Sequence, residues 1–463
     1  MSLKFNVDTD LLKKYDRPGP RYTSYPTAPQ FHQNFTAASY ENELKRSNEE
    51  KAGEPISLYF HLPFCDTLCY FCGCTMIITR SRERIAHYVD VLKKEIEMVS
   101  SRIDPSRKVV QLHWGGGTPT YLNPDEIADL MGHIHNHFSF DEKAEISVEI
   151  DPRGLSDEHL PVMRESGFNR MSMGVQDFNE KVQKTINRLQ PEALTRRILE
   201  QGRSLGYESI NLDFIYGLPF QTPQTFEATL DTILDINPDR LAMFNYAHVP
   251  WLKKHQNVIP EDELPSADNK LAMLKMIIER LTESGYTFIG MDHFAKPDDP
   301  LSVAMNNHTL HRNFQGYTTY AGAEVFAMGM SSISQLYNSF AQNHKDIKTY
   351  EKDVQEGHLP VHAGYQLDDD DKLRRFVIMD LMCNNRLIKE EVNTRFGIDF
   401  DSYFSDALEK LKPFTEDNLL ELKKDRIIVN KTGRLVIRNM AMAFDRYLEK
   451  DLQKKKPLYS RTV

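Results

Sequence analysis

The cysteines of this chain are spread very unevenly. Cys65, Cys69, Cys72 and Cys74 crowd into the segment CDTLCYFCGC, and Cys383 stands alone. A disulfide framework would distribute cysteines along a short secreted chain. One tight cluster in a long chain argues instead for a reducing compartment and a metal site. The C-x3-C-x2-C spacing of Cys65, Cys69 and Cys72 places three sulfurs on one loop, enough to cap three corners of a cubane iron–sulfur cluster. A ferredoxin-type site takes its fourth cysteine from farther along the chain. Here the spare thiol, Cys74, follows Cys72 too closely to reach the same cubane without steric difficulty. Three ligands leave one iron open to a substrate or cofactor, as catalytic metal sites do. The alternative is a structural zinc knuckle using all four cysteines, although no second Cys/His pair is suitably placed for it.

The next chemically informative segment is GGGTP (Gly115–Pro119), between a β-rich run and a helix start. Glycines let a ligand approach the backbone closely, and N–H groups leading into a helix favour a carboxylate. Thr118 adds a hydroxyl. Glu149 closes a strand where a carboxylate can accept from hydroxyls or an ammonium. His248 and His311 are candidates for proton movement or anion binding, with structurally bonded histidines as the alternative.

These residues need elements to hold them. From residue 56 a β-rich run followed by a helix-period run recurs six times. The strands are expected at 56–61, 109–114, 145–150, 169–175, 209–215 and 239–245. Ile85, Tyr88, Val89, Leu92, Ile96 and Val99 mark the first helix. Asn123 with Pro124, Ser156, and Thr222 with Pro223 open later ones. Further helices are expected over 192–205 and 266–284, the latter stopping at Gly285, and a strand at 286–291 is a candidate extension of the sheet. Such alternation gives a parallel sheet with right-handed crossovers. Because the polar and glycine-rich residues follow strand C-termini, an incomplete barrel is favoured over a doubly wound sheet.

The expected organisation is an N-terminal arm (1–50) containing RPGPRYTSYPTAP, a catalytic partial TIM-type barrel (51–360) and a mainly helical C-terminal domain (361–463). In the last part, LDDDDK leads into a helix, a second helix covers 402–412, and LLELKKDRIIVN folds as a hairpin around Lys424-Asp425. A final helix lies near 434–448. Helices plus a hairpin resemble a small winged-helix module, read as a lid or cap. The one low-complexity feature is the basic run Lys454–Lys456.

The 463 residues suit two to four domains. Acidic residues outnumber basic ones, 67 to 57, for a net charge of −10, which argues against nucleic acid as a bulk partner. A mean hydropathy of −0.52 and the lack of an 18-residue apolar run exclude a membrane-spanning helix. The N-terminus, MSLKFNVDTDLLKKY, has no apolar core of a secretory signal, so a cytoplasmic location is expected.

Cx3Cx2C with Phe71 before the last cysteine, followed on the next strand by GGGTP, resembles the radical S-adenosylmethionine (SAM) superfamily. PRYTSYPT (20–27), CGC (72–74), HWGGGTPTYL (113–122), SMGVQDFN (172–179), NLDFIYGLP (211–219), FNYAHVP (244–250) and HRNFQGYTT (311–319) are similar to the bacterial oxygen-independent coproporphyrinogen III oxidases (dehydrogenases). The likeness runs along essentially the whole chain, and its arm is one that general radical-SAM relatives lack.

The resemblance implies an α/β fold, an incomplete (βα)6 radical-SAM barrel with an N-terminal arm and a mainly helical C-terminal domain. It implies a [4Fe–4S] cluster on Cys65, Cys69 and Cys72, with Cys74 as a non-ligating cysteine beside the cofactor. Two SAM molecules side by side are implied at Tyr59, Gly116, Gly117, Thr118, Glu149, Gln176, Arg188, Asp213, Ala247 and Ile333. The implied activity is oxidative decarboxylation of coproporphyrinogen III to protoporphyrinogen IX in haem (porphyrin) biosynthesis, two propionates becoming vinyl groups. Porphyrin handling without decarboxylation is the alternative. An apolar macrocycle with anionic arms calls for aromatic walls and cationic clamps, which Arg21, Tyr22 and Tyr25 of the arm and Arg312 and Tyr317 would supply. The arm's other reading is a strap over the barrel. A one-electron donor of flavodoxin or ferredoxin type and an electron acceptor are the implied partners of a monomer.

Overall fold

The computed structural model describes residues 5–453 and 459–462. The basic run Lys454–Lys456 lies outside them. The chain forms two compact units, one of residues 31–265 and 322–366, the other of 1–30, 266–321 and 367–463. These units cut across the linear segments 1–50, 51–360 and 361–463, because residues 1–30 of the arm and the 266–321 stretch belong with the C-terminal part, while 31–50 belong with the strands.

The first unit is built on strands β1 (Ile56–Leu62), β2 (Val109–Gly116), β3 (Phe140–Ile150), β4 (Arg170–Gln176), β5 (Ser209–Tyr216), β6 (Arg240–Asn245), β7 (Glu324–Met328), β8 (Ile333–Gln335), β9 (Ser339–Asn343) and β10 (Val361–Gln366). They pair in the order β10-β9-β8-β7-β1-β2-β3-β4-β5-β6. From β7 to β6 every pairing is parallel, whereas β7 to β10 is an antiparallel meander. Helices fill the crossovers, as the strand–helix alternation requires. Their starts follow the sequence signals: Asn123 and Thr222 cap Pro124–His137 and Pro223–Ile236 through capping boxes with Pro at the first turn. Ser156 instead bonds the His159 ring, and the helix there covers only His159–Glu165.

Alternation along the strands sorts the residues by face. Leu58, Phe60, Leu112, Trp114, Ile146, Val148, Met171, Met173, Ile210 and Leu212 are buried. Each such side chain contributes roughly 1.5–3 kcal/mol by leaving water. The opposite face carries Tyr59, His113, Ser147, Glu149, Ser172, Asn211 and Asp213, all only partly buried. Closed TIM barrels fill this face with branched apolar side chains; here it is polar, and so suited to a polar ligand.

The strand β7 and the meander after it were absent from the sequence reading. EVFAM is buried throughout, so it lacks the alternation of a half-buried strand. Its Glu324 reads as a surface residue but pairs with buried Arg107 at 3.0 Å.

In the second unit, Thr287–Gly290 pairs antiparallel with His293–Ala295. HRNFQGYTT forms a short hairpin of His311–Asn313 and Gly316–Thr318. The expected 420s hairpin forms and gains a third strand, Arg386–Ile388. The helix expected over 402–412 is Phe400–Tyr403 followed by Ser405–Glu416. The single helix expected near 434–448 is corrected to short pieces ending at Phe444 and a separate Leu448–Leu452. The break falls at Asp445, extended at ψ 110, whose carboxylate accepts from Tyr22 Oη and the Tyr447 amide. Among the described residues no helix is long and apolar enough to cross a membrane.

Candidate active site

The cysteine loop leaves β1 and is closed at its base by a two-residue parallel ladder, Phe64 to Ile77 and Cys65 to Ile78. Its tip is fastened through backbone atoms. The Tyr70 amide donates to the Ile186 carbonyl at 3.0 Å and Asn187 Nδ2 to the Leu68 carbonyl at 2.8 Å. Gln256 Nε2 donates to the Phe71 carbonyl at 3.0 Å, His255 Nε2 contacts the Cys72 carbonyl at 2.8 Å, and Lys253 Nζ donates to the Cys74 carbonyl at 2.9 Å. Tyr70 and Phe71 pack on an apolar cluster of Val182, Ile186, Ile215, Leu218, Tyr246 and Ile259. The aromatic residue before the last cysteine thus anchors the loop and leaves its thiols available.

All four thiols are free. Cys65 Sγ lies 3.2 Å from Thr118 Oγ1. Cys69 Sγ receives Arg153 Nη2 at 3.6 Å and Arg188 Nη1 at 3.7 Å. Burial pushes the Cys65 thiol up to about 12, while a hydrogen bond from the Cys74 thiol lowers the Cys72 pKa. Metal binding displaces such protons. Two guanidinium groups aimed at one sulfur suit an anionic thiolate cluster, so the donor set fits the implied iron–sulfur group.

Asp151 holds both arginines. Its carboxylate accepts from Arg153 Nη2 at 2.6 Å and Arg188 Nη1 at 3.1 Å. Burial pushes its pKa up, but Arg188 and Arg153 outweigh that and bring it to about 2. Arg188 also donates from Nη2 to the Gly174 carbonyl at 2.5 Å. Among the described residues its buried Nε has no partner.

The glycine turn lies beside this loop. Gly116 has φ +118, and a Cβ there would meet the His61 ring at 2.8 Å. At Gly117 a Cβ would lie 2.5 Å from the Pro63 carbonyl, so only glycine lets the two backbones meet. The Gly116 amide donates to Glu149 Oε2 at 3.2 Å. His113 bridges Ser147 (2.7 Å) and Glu149 (3.4 Å) and stacks on Tyr59 with ring centroids 6.0 Å apart. Tyr59 Oη contacts His61 Nδ1 at 3.1 Å. Burial raises the Glu149 pKa, but His113, the Gly116 amide and His61 together hold it below the usual value. Its side chain is still 45% exposed, an ionised carboxylate open to a ligand.

Asp213, on β5, accepts from Asn211 Nδ2 at 2.7 Å and Ser172 Oγ at 3.2 Å. Burial pushes it up to about 6, aided by the Glu149 charge. Gln176, at φ +73, ends β4 where the register with β5 shifts. The Ala247 carbonyl accepts from Gln256 Nε2, which also holds the Phe71 carbonyl, so Ala247 is joined to the cysteine loop. Ile333 opens β8, two residues after Ser331, whose Oγ is 3.5 Å from His61 Nε2.

The structure therefore gathers Tyr59, Gly116, Glu149 and Asp213 along adjoining strands, and Thr118 and Arg188 at the thiols. Ala247 and Ile333 stand on its flanks. Sequence reasoning missed Asp151, Arg153, His61 and His113. HLP, which closes β1 before the first cysteine, and DPRG, which follows the end of β3, were the available signals.

Arg21, Tyr22, Tyr25, Arg312 and Tyr317 belong to the other unit. Arg21 pairs with Asp292. The Tyr22 and Tyr25 rings are buried, with Tyr22 Oη donating to Asp445 at 2.9 Å and Tyr25 Oη accepting from the Arg446 amide at 3.1 Å. Those bonds hold the arm to the C-terminal part of its own unit. Arg312 lies over the Tyr317 ring at 4.7 Å. Among the described residues its buried Nε and Nη1, and the Tyr317 hydroxyl, have no partner. His248 Nδ1 is bonded to Tyr246 Oη at 3.0 Å, and burial lowers the His311 pKa.

The Radical SAM superfamily model matches residues 59–233, and the HemN C-terminal domain model matches 367–436. The chain is 46% identical over 443 residues to the oxygen-independent coproporphyrinogen III oxidase of Pseudomonas aeruginosa, covering 95% of this chain and 96% of that one. It is 46% identical over 441 residues to the enzyme of that name from Escherichia coli K12, covering 95% of each. Among solved structures, coproporphyrinogen III oxidase (HemN) from Escherichia coli, described as a radical SAM enzyme, superposes with a TM-score of 0.91 at 44% identity, covering 96% of this chain and 100% of that one.

Proposed function

This chain belongs to the radical SAM family of oxygen-independent coproporphyrinogen III oxidases, and from that membership we propose how its own residues divide the work. The reaction is the oxidative decarboxylation of coproporphyrinogen III to protoporphyrinogen IX in haem biosynthesis. Each of two propionates loses a β-hydrogen, then carbon dioxide and one electron, and becomes a vinyl group. The [4Fe–4S] cluster and SAM, when bound, supply the electron and the 5′-deoxyadenosyl radical that takes the hydrogen.

Cys65, Cys69 and Cys72 hold the cluster, and Cys74 stays outside it. Arg153 and Arg188 steady the Cys69 sulfur, and Thr118 the Cys65 sulfur. Gly116 and Gly117 bring the backbone close enough to seat SAM. Glu149 and Asp213 accept from its ammonium or hydroxyl groups, while Tyr59, Gln176, Arg188, Ala247 and Ile333 complete the two SAM positions. Arg312 and Tyr317 are assigned to a substrate propionate, because their buried polar atoms lack partners among the described residues and an unsatisfied buried donor is costly. Arg21 is a further clamp, and Tyr22 and Tyr25 shape the arm that carries it. The catalytic segment is 51–360, with 1–50 as the arm and 361–463 as the mainly helical C-terminal part.

A one-electron donor of flavodoxin or ferredoxin type delivers the electron, a separate acceptor removes those released by the substrate, and the enzyme works as a cytoplasmic monomer. The observation that carries the site assignment is the pair of guanidinium groups on the Cys69 sulfur. The test is anaerobic: cluster-loaded protein with a strong one-electron reductant, SAM and coproporphyrinogen III. Vinyl product accompanied by 5′-deoxyadenosine and methionine is expected. 5′-Deoxyadenosine without product would favour porphyrin handling without decarboxylation. Product without 5′-deoxyadenosine would refute the radical route.

A further inference from the structure

Away from the cysteine loop, the helices Arg82–Ser100 and Pro124–His137 pack side by side on the outer layer of the first unit. His133 and His137 are one helical turn apart and so share a face; their rings are 4.4 Å between centroids. Glu97 faces them from the neighbouring helix, with Oε1 3.7 Å from His133 Nε2. One imidazole nitrogen from each histidine and one Glu97 oxygen all lie within 4.8 Å of one another. His135, between the two in sequence, points elsewhere and contacts the Ser166 carbonyl.

The surroundings suit a metal ion. His137 Nδ1 is 2.8 Å from the His133 carbonyl, and a carbonyl only accepts, so the proton sits on Nδ1 and Nε2 keeps its lone pair. A backbone carbonyl on the far nitrogen is the usual support of a metal-binding histidine. Glu97, 56% exposed, has no other side-chain partner among the described residues. Burial and the neighbouring His137 hold the His133 pKa down, favouring the neutral ring. The nearby Lys93 ammonium is already paired with Asp129. Tetrahedral zinc bonds of about 2.0–2.1 Å set ligand atoms about 3.3 Å apart. Closing the trio to that spacing takes rotamer shifts and a tautomer change, because His133 Nε2 now donates to the Lys93 carbonyl at 3.2 Å and ligates only once its proton moves to Nδ1.

We propose that Glu97, His133 and His137 form a second metal site, separate from the cysteine loop, for a borderline divalent ion such as Zn2+. Two imidazoles and a carboxylate are zinc-type ligands, and water completes a four-coordinate shell. The bound ion cross-links the two helices.

The test uses tag-free, cluster-loaded protein under anaerobic conditions, so that the cysteines are occupied. It is titrated with Co2+ and with Zn2+ in competition with a chromophoric chelator. The expected result is one equivalent beyond the cluster iron, with weak cobalt d–d bands and no sulfur-to-cobalt charge-transfer band. His137→Ala and Glu97→Gln should each weaken that equivalent by about tenfold or more. His133→Asn/His137→Asn should abolish it while retaining the circular dichroism and SAM cleavage of the parent. Equal binding by parent and variants would overturn the proposal, as would a charge-transfer band accompanying every bound ion.

Discussion

Arg188 Nη1 lies 3.7 Å from the sulfur of Cys69. The same nitrogen is held by Asp151 at 3.1 Å, and Arg153 adds a second donor to the sulfur at 3.6 Å. A partly buried acid thus aims two cations at one cysteine, where hydrogen bonds to cluster sulfurs help set reduction potential.

Removing that donor should leave a cluster that is harder to reduce. Arg188→Ala is expected to retain cluster iron while its potential becomes more negative and SAM cleavage falls on the order of tenfold or more. Arg188→Lys keeps the charge but loses the fork geometry, and should fall between. Redox titration of both variants checks this; an unchanged potential would detach Arg188 from the cluster.

The cysteine variants should divide three to one. Cys65→Ser, Cys69→Ser and Cys72→Ser are expected to lose the visible absorption of the cluster and all turnover. Cys74→Ser should keep most of its iron, since a serine hydroxyl can still donate to Cys72. Iron analysis after anaerobic reconstitution decides; equal loss in all four would make Cys74 a ligand.

Gly117→Ala should damage the site through the backbone. The added methyl would lie 2.5 Å from the Pro63 carbonyl, which cannot rotate away. The segment running into Cys65 must then move. The expected result is reduced cluster incorporation and SAM cleavage lowered by at least about tenfold, since small misplacements at a reacting site carry such penalties. Gly132→Ala, with open space around its Cβ, is the control and should behave as the parent.

Asp213 should make the ligand-free enzyme less stable as pH rises. Burial and then the Glu149 charge leave its folded pKa at about 6, above the ordinary 3.8. The folded state therefore binds more protons than the unfolded state between these values. Stability falls through that window, and the full penalty applies above about 6. Asp213→Asn removes the penalty. Its Tm should exceed that of the parent by a margin that grows from pH 4 to pH 7, while its SAM affinity drops. Scanning calorimetry across that range checks the trend; a constant margin would contradict it.

The parallel strands and their helices were legible because the two periodicities, two and 3.6, are local. The cysteine and glycine motifs were legible because their residue types carry the chemistry. The strand Glu324–Met328 was not, because burial on both faces erases alternation and Arg107, far off in sequence, neutralises Glu324. The Asp445 break was hidden for a like reason, its partner Tyr22 lying at the other end of the chain. Asp151 and Arg153 escaped notice because a DPR turn looks like surface until Cys69 is seen beside it. What the sequence hid depends on long-range partners.

The central claim is an iron left open by three cysteine ligands, and Mössbauer spectroscopy of anaerobically prepared, iron-57-labelled protein tests it most directly. Adding SAM should shift the signal of a single iron of the cluster and leave the others in place. A spectrum unmoved by SAM, with every iron already saturated by protein ligands, would contradict the account.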